Sequence, residues 1–200
     1  LKVGDRVTVE IGPVAHGGHF IARHKGQVIF VRYGITGEEA VVEITSVSSK
    51  LARGDAVEIL KASKDRVVPP CKYAVPGGCG GCDFQHIEIS AQAELKRSVI
   101  REQFSRLGRI EIDLDVISVE PKNGLHWRSR MDFAISKNGK PGLYSARSKE
   151  VTEIDKCLIA VEAVNDPAMF SRTWKGQDRL EVAVSNSGEK NVSRGGRSIS

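Results

Sequence analysis

Two hundred residues with 40% apolar content allow one medium domain or two small packed ones, and no uncharged apolar run reaches the roughly 18 residues of a membrane helix. The start, Leu1-Lys2-Val3-Gly4-Asp5, lacks a signal peptide's apolar centre and an initiating methionine, so the chain reads as a trimmed globular protein of the cytoplasm. The formal charge of +5 is unevenly spread: residues 122–149 hold seven basic side chains against one acidic, a local polyanion-facing patch.

Residues 1–63 predict an OB-like barrel. Val7, Val9 and Ile11 alternate with polar residues, and strand-like runs follow at 27–31, 40–44 and 56–60, with Gly17-Gly18, Gly26, Gly34, Gly37 and Gly54 at turn spacing. Residues 64–70 form a linker, because Pro69-Pro70 forces extended backbone. Residues 71–200 predict an α+β domain. Ser90 is placed as the N-cap of a helix ending near Gly108, with Ala93, Ile100, Phe104 and Leu107 as its apolar stripe, widened by Leu95 and Val99. The opposite face, Lys96, Arg97, Arg101 and Arg106, reads as ordinary solvated surface and is assigned no function. Strands are expected at 114–119, 126–136, 142–144, 151–154 and 180–184. The glycine- and serine-rich stretch 186–200 has no closing element and reads as the place where a longer chain was cut.

Three of the four cysteines fall together as Cys71-x7-Cys79-x2-Cys82 inside a glycine-rich run, leaving Cys157 as the remaining thiol. Two cysteines separated by two residues can turn both sulfurs toward one ion, and flanking glycines let the backbone curl around it. The spacing leaves three readings open: an iron-sulfur cluster, a zinc site with four cysteine ligands, or unrelated thiols. Disulfides fit poorly with a chain that has no secretory feature.

The text Cys79-Gly80-Gly81-Cys82-Asp83-Phe84-Gln85-His86, with Gln92 and Lys96 beyond it, resembles the TRAM-domain RNA (uracil-5-)methyltransferases, including the ribosomal RNA 5-methyluridine enzymes. The match continues at Trp127-Arg128-Ser129-Arg130-Met131, Gly142-Leu143-Tyr144, Ser148-Lys149-Glu150-Val151 and Ile154-Asp155-Lys156-Cys157-Leu158-Ile159. The resemblance implies a TRAM barrel and a central domain whose Cys71, Cys79, Cys82 and Cys157 hold a 4Fe-4S cluster. It also implies a Rossmann-like domain, absent from this chain, that binds S-adenosylmethionine. Two departures are the longer gap between the first two cysteines and Phe20 at a barrel turn position where glycine is usual. Methylating carbon 5 of uracil requires a thiolate that adds to carbon 6 and a base that removes the carbon-5 proton. With four cysteines as ligands no nucleophile remains, so the chain is expected to bind and position ribosomal RNA rather than perform the chemistry.

In 126–136 the odd positions Trp127, Met131, Phe133 and Ile135 alternate with Arg128, Arg130 and Asp132, a half-buried strand with guanidinium groups on one face. Arg128 and Arg130, with Tyr144, Arg147 and Lys149, are the expected RNA contacts, against the plainer alternative of a solvated face. Arg23 and Lys25, with His24, Arg32, Lys50 and Arg53, could form a weaker rim on the barrel, although residues 1–63 carry eight basic and seven acidic side chains. His16 and His19 read as turn residues. Gln85 and His86 are expected either to hydrogen-bond cluster sulfur or to touch RNA. The rivals are a non-catalytic zinc-containing RNA-binding module and a radical methylthiolation enzyme, whose Cys-x3-Cys-x2-Cys spacing and C-terminal barrel disagree with this chain.

Overall fold

The structure, a computed structural model, describes residues 1–121, 123–194 and the backbone of 197–199. The chain divides into two units that are discontinuous in sequence: Leu1–Pro69 with Asp83–Ser118, and Pro70–Cys82 with Val119–Ser200.

The first unit is built on five strands, β1 (Arg6–Glu10), β2 (Phe20–His24), β3 (Gln27–Arg32), β4 (Glu39–Val47) and β5 (Leu51–Lys61), in the order β1-β4-β5-β3-β2. Only β3 and β5 of this sheet run parallel. The segment after β1 closes the sheet onto β2, with Gly12 donating to the Ile21 carbonyl at 2.7 Å and Ile21 to the Pro13 carbonyl at 3.0 Å. Closure removes an edge that would otherwise offer unpaired backbone. Strand alternation points Val9, Ile11, Ala22, Ile29, Val31, Val42 and Ile44 inward. Phe20, the residue at the unusual turn position, is fully buried among them, and burying such a ring contributes about 1.5–3 kcal/mol.

One carboxylate lies wholly inside this unit. Glu38 has no exposed side-chain surface, and its oxygens accept from Ile35 N, Ser63 N and both Nε and Nη2 of Arg66, the last two at 2.6 Å. Burial alone would raise its pKa, but the Arg66 hydrogen bonds and charge, with the backbone N–H groups, bring it below the ordinary carboxylate value. Beside Arg66 the chain pairs with 86–88: Val67 donates to the His86 carbonyl and Glu88 to the Asp65 carbonyl. That pairing leads directly into helix α1 (Ile89–Gln103).

α1 starts one residue before Ser90, with Glu88 at the N-cap, and a π-helical turn, Phe104–Gly108, continues it to a left-handed Arg109. It packs on the barrel core through Leu95, which belongs to the expected stripe, and Ala91, which does not, and none of its residues is fully buried. Phe104 and Leu107 remain 46% and 70% exposed.

The second unit corrects the α+β expectation. Its framework is a six-stranded antiparallel sheet, β6 (Arg130–Ile135), β7 (Pro141–Tyr144), β8 (Val151–Glu153), β9 (Arg179–Val184), β10 (Lys190–Arg194) and β11 (Arg197–Ile199), ordered β11-β10-β9-β6-β7-β8. Its helical content among the described residues is a 3-10 turn, Glu162–Val164, and the five-residue α2 (Pro167–Ser171), capped by Asp166. The long helix expected here belongs to the barrel unit. The stretch 114–119 is not a strand, and the polar tail supplies β10 and β11, because pairing with β9 outweighs its weak local signal. Met131, Phe133, Leu180 and Val182 form the core with Phe170, which meets Phe133 edge-on at 5.4 Å. Trp174 is 6% exposed, donates Nε1–H to the Met169 carbonyl at 2.9 Å and carries the guanidiniums of Arg172 and Arg194 over its ring.

Replacing Glu38 by Gln leaves the Arg66 cation without its counter-charge and should lower unfolding free energy by about 3 kcal/mol in a urea titration. Acid acts on the same contact: its stabilisation is whole above the unfolded value of 4.5 and disappears as pH falls through the lower folded value. A variant with unchanged stability at pH 7 would remove this pair from the fold's requirements.

Candidate nucleic-acid interface and cysteine loop

In the second unit, Trp127, Arg128, Arg130, Asp132, Arg179 and Glu181 are among the residues lining a shallow cleft of 520 Å³. The expected strand is shorter than 126–136. β6 begins at Arg130, while residues 126–128 bond to the chain after Cys157: Trp127 donates to the Ile159 carbonyl, and Val161 to the Arg128 carbonyl. Trp127 therefore leaves the core-facing series and is 53% exposed. Arg128 turns its Nε–H to the Arg130 carbonyl at 3.1 Å.

Across the ladder Asp132 stands opposite Glu181, a like-charge pair that two arginines offset. Arg130 contacts Glu181 at 2.6 Å, and Arg179 reaches Asp132 at 3.0 Å and Glu181 at 3.6 Å. Three guanidiniums against two carboxylates give the cleft a milder charge than the local sequence count suggests. Arg179 and Glu181 escaped the sequence reading because they come from β9, some fifty positions away from β6. Tyr144, Arg147 and Lys149 are exposed at and beyond the end of β7, outside the cleft lining.

The glycines around the cysteines have a packing reason of their own. Cys79 bridges to Ser145, and Gly80 donates to the Tyr144 carbonyl at 2.9 Å. A Cβ on Gly80 would stand 2.7 Å from Ala146 N, and one on Gly78 would stand 2.4 Å from the Tyr73 carbonyl oxygen. Both contacts are with backbone, which cannot yield as a flexible side chain can. Lys72 pairs with Asp155 at 2.6 Å, and the Asp155 N–H donates to the Tyr73 hydroxyl, fastening the loop near Cys157. Asn165 brackets Cys157, accepting its N–H at 2.8 Å and donating to its carbonyl at 3.0 Å. Burial pushes the Cys157 thiol up, against backbone donors at Ile159 and Ala160.

All four cysteines lie in this unit and none is in a disulfide. Gly81 N–H is directed at Cys79 Sγ at 3.4 Å, and Cys71 is near enough for its charge to act on Cys157. Yet no group of three or more His, Cys, Asp or Glu among the described residues is arranged to hold a metal ion. The four-cysteine cluster expected of this fold is therefore not found assembled among the described residues, although the donor types are those that suit a soft metal.

On the barrel, Lys25 and Gly26 have φ of 47° and 82°, a left-handed pair that turns β2 into β3 and leaves Arg23 and Lys25 exposed. Arg32 is removed from the expected rim. It is 6% exposed and held by Asp83, through Nε at 3.1 Å and Nη2 at 2.9 Å. His86 contacts neither sulfur nor open surface. It is 3% exposed in the barrel unit, with Nε2 3.1 Å from the Gly34 carbonyl, and burial pushes its pKa down to about 4. Gln85, beside it, is half-buried in the same unit.

Residues 1–57 match the family model described as TRAM domain. The barrel is a TRAM domain. Over the TRAM domain and the second unit the chain is 42% identical, across 205 aligned positions, to a protein named an uncharacterized RNA methyltransferase from Streptomyces coelicolor, covering 95% of this chain and 44% of that protein. It is also 42% identical to one of the same name from Streptomyces avermitilis, covering 95% of this chain and 47% of that protein. The chain spans a little under half the length of these relatives. Among solved structures it is similar in fold to the Pyrococcus abyssi tRNA (uracil-54, C5)-methyltransferase in complex with S-adenosyl-L-homocysteine, with a TM-score of 0.60, 19% identity and coverage of 92% of this chain and 45% of that one. No helix among the described residues is long and apolar enough to cross a membrane.

Gly80→Ala should open the contact with 144–146 and destabilise the second unit by about 2 kcal/mol, read as a lower unfolding temperature with the TRAM domain's transition unmoved. An unchanged transition would show that the loop accepts a Cβ there.

Proposed function

We propose that this chain carries the RNA-recognition surface of an S-adenosylmethionine-dependent RNA methyltransferase that forms 5-methyluridine in ribosomal RNA, in the cytoplasm. The observation that carries the reading is the cleft at the start of β6, where exposed Trp127 stands with Arg128, Arg130 and Arg179. An aromatic face stacks on an unpaired base, and guanidinium forks bind phosphate in two-point fashion. Tyr144, Arg147 and Lys149 would extend the contact, and Arg23 and Lys25 would add phosphate contacts from the TRAM domain. The relatives named RNA methyltransferases support the same reading.

The second reading is a transfer RNA substrate, favoured by the fold likeness to a protein named a tRNA (uracil-54, C5)-methyltransferase. RNA labelled with tritium at carbon 5 of uridine separates the two, because methylation there expels the label. The full-length protein supplied with S-adenosylmethionine should release tritium from ribosomal RNA. Arg128→Ala and Arg130→Ala should each weaken RNA binding and reduce its salt slope by roughly 1. Release from transfer RNA alone would establish the second reading, and release from neither would end the proposal.

The same proposal makes Cys71, Cys79, Cys82 and Cys157 ligands of an iron-sulfur cluster. It is supported by thiol chemistry, shared location in one unit and the N–H directed at Cys79 Sγ. Anaerobically purified protein should contain iron and acid-labile sulfide, and Cys157→Ser should lose them. Zinc without iron would instead mark a zinc-containing module, and the absence of both would leave the thiols structural.

A further inference from the structure

The basic face of α1 is not simply solvated. Arg97 and Arg101, one turn apart, both aim Nη2 at the same oxygen, Oδ1 of Asp113, which is 2.9 Å from Arg97. Asp115 stands 3.3 Å from Arg97 Nη2. The Nε atoms of Arg97 and Arg101 are shielded from solvent without an acceptor. Two cations therefore share one carboxylate oxygen; Arg97 also meets Asp115 and, through Nη1 at 3.7 Å, Glu94, while among the described residues Arg101 is paired with Asp113 alone, and two Nε donors stay unused.

The partner that fills this position is loosely tied. Asp113 and Asp115 are 80% and 85% exposed, against 26% for Arg97. They lie on residues 111–119, which form no helix or strand and enter no backbone hydrogen bond with other described residues. Glu111, Asp113 and Asp115 alternate with Ile112, Leu114 and Val116, a strand's period without a strand partner. The Asp113 carboxyl is held below the ordinary carboxylate range by hydrogen bonds from Arg97 and Arg101.

We propose that Arg97 and Arg101 form a cradle for an RNA backbone phosphate, and that Asp113 occupies it as a displaceable stand-in when RNA is absent. This rests on the RNA-binding reading above and adds a site that the reading does not contain. A phosphodiester brings two anionic oxygens where Asp113 uses one, so it can meet both guanidinium forks at once. The competing ion pair is exposed and weak, so its loss opposes binding little. RNA affinity is thereby set partly by a short acidic segment on the same unit.

The experiment measures binding of a single-stranded RNA oligonucleotide to the full-length protein by fluorescence anisotropy across a salt series. Asp113→Asn should bind about fivefold more tightly and steepen the salt slope by roughly 0.7. Arg97→Gln with Arg101→Gln should weaken binding and flatten the slope, and adding Asp113→Asn to that pair should restore nothing. Circular dichroism checks that α1 persists, with Arg97→Lys as the variant to use if it does not; Lys keeps the charge without the fork and should bind more weakly. Equal affinity of wild type and Asp113→Asn, or a gain that survives loss of both arginines, overturns the cradle. If wild type binds RNA through Arg128 and Arg130 yet ignores Asp113→Asn, only this inference fails; if it binds no RNA, the RNA reading fails with it. Binding of inorganic phosphate that responds to these variants while RNA affinity does not would mark a free-anion site and overturn the assignment to RNA.

Discussion

Glu38 has no exposed surface, and four donors converge on its two oxygens: the backbone N–H groups of Ile35 and Ser63 and two nitrogens of Arg66. A carboxylate can lie inside a small barrel only when surrounded in this way. The consequence reaches beyond the barrel. Arg66 also donates to the Tyr33 carbonyl, so the turn before β4, the exit from β5 and the chain that follows are held at one point. From there 65–67 pairs with 86–88 and sets where α1 begins. The placement of Arg97 and Arg101 thus descends from a buried charge some sixty positions earlier.

The second unit obtains its order differently. Its sheet is antiparallel throughout; the cysteine-bearing loop approaches the β7–β8 connection so closely that Gly80 leaves no room for a side chain, and it folds on itself so tightly at Tyr73 that Gly78 leaves none either. Asn165 does for Cys157 what a neighbouring strand would do, meeting both its N–H and its carbonyl. The strand after Trp127 is consequently joined, through 157–161, to the same loop. The exposed Trp127 and the cysteine-bearing loop are thus parts of one hydrogen-bonded arrangement.

Much of the barrel was legible in the sequence because alternation has a short range: Val7, Val9 and Ile11 announce their face without knowledge of their partners. β7, β8 and β9 were legible for the same reason. The helix was legible as a helix, and Leu95 as part of its inward face, but Ala91 was not, since the barrel rather than the strongest apolar stripe selects it. β10 was hidden in polar text because its partner, β9, supplies the reason to pair. The charges were hardest. Arg32 looks like any surface arginine until Asp83 is placed beside it, and the exposure of Trp127 depends on where β6 begins. The cysteines showed the type of donor and left its assembly unresolved: a loop that packs through glycine and a loop that wraps a metal share the same residues.

The chain has two tryptophans, and they occupy opposite environments. Trp174 is buried, with two guanidiniums over its ring and its indole N–H satisfied, while Trp127 stands open to water beside the arginines of the cleft. Intrinsic emission should therefore split into two reporters within one unit. The blue-shifted component follows the packing of the β6–β9 core, and the red-shifted, readily quenched component follows the surroundings of the cleft, so that the two can be watched separately without a label.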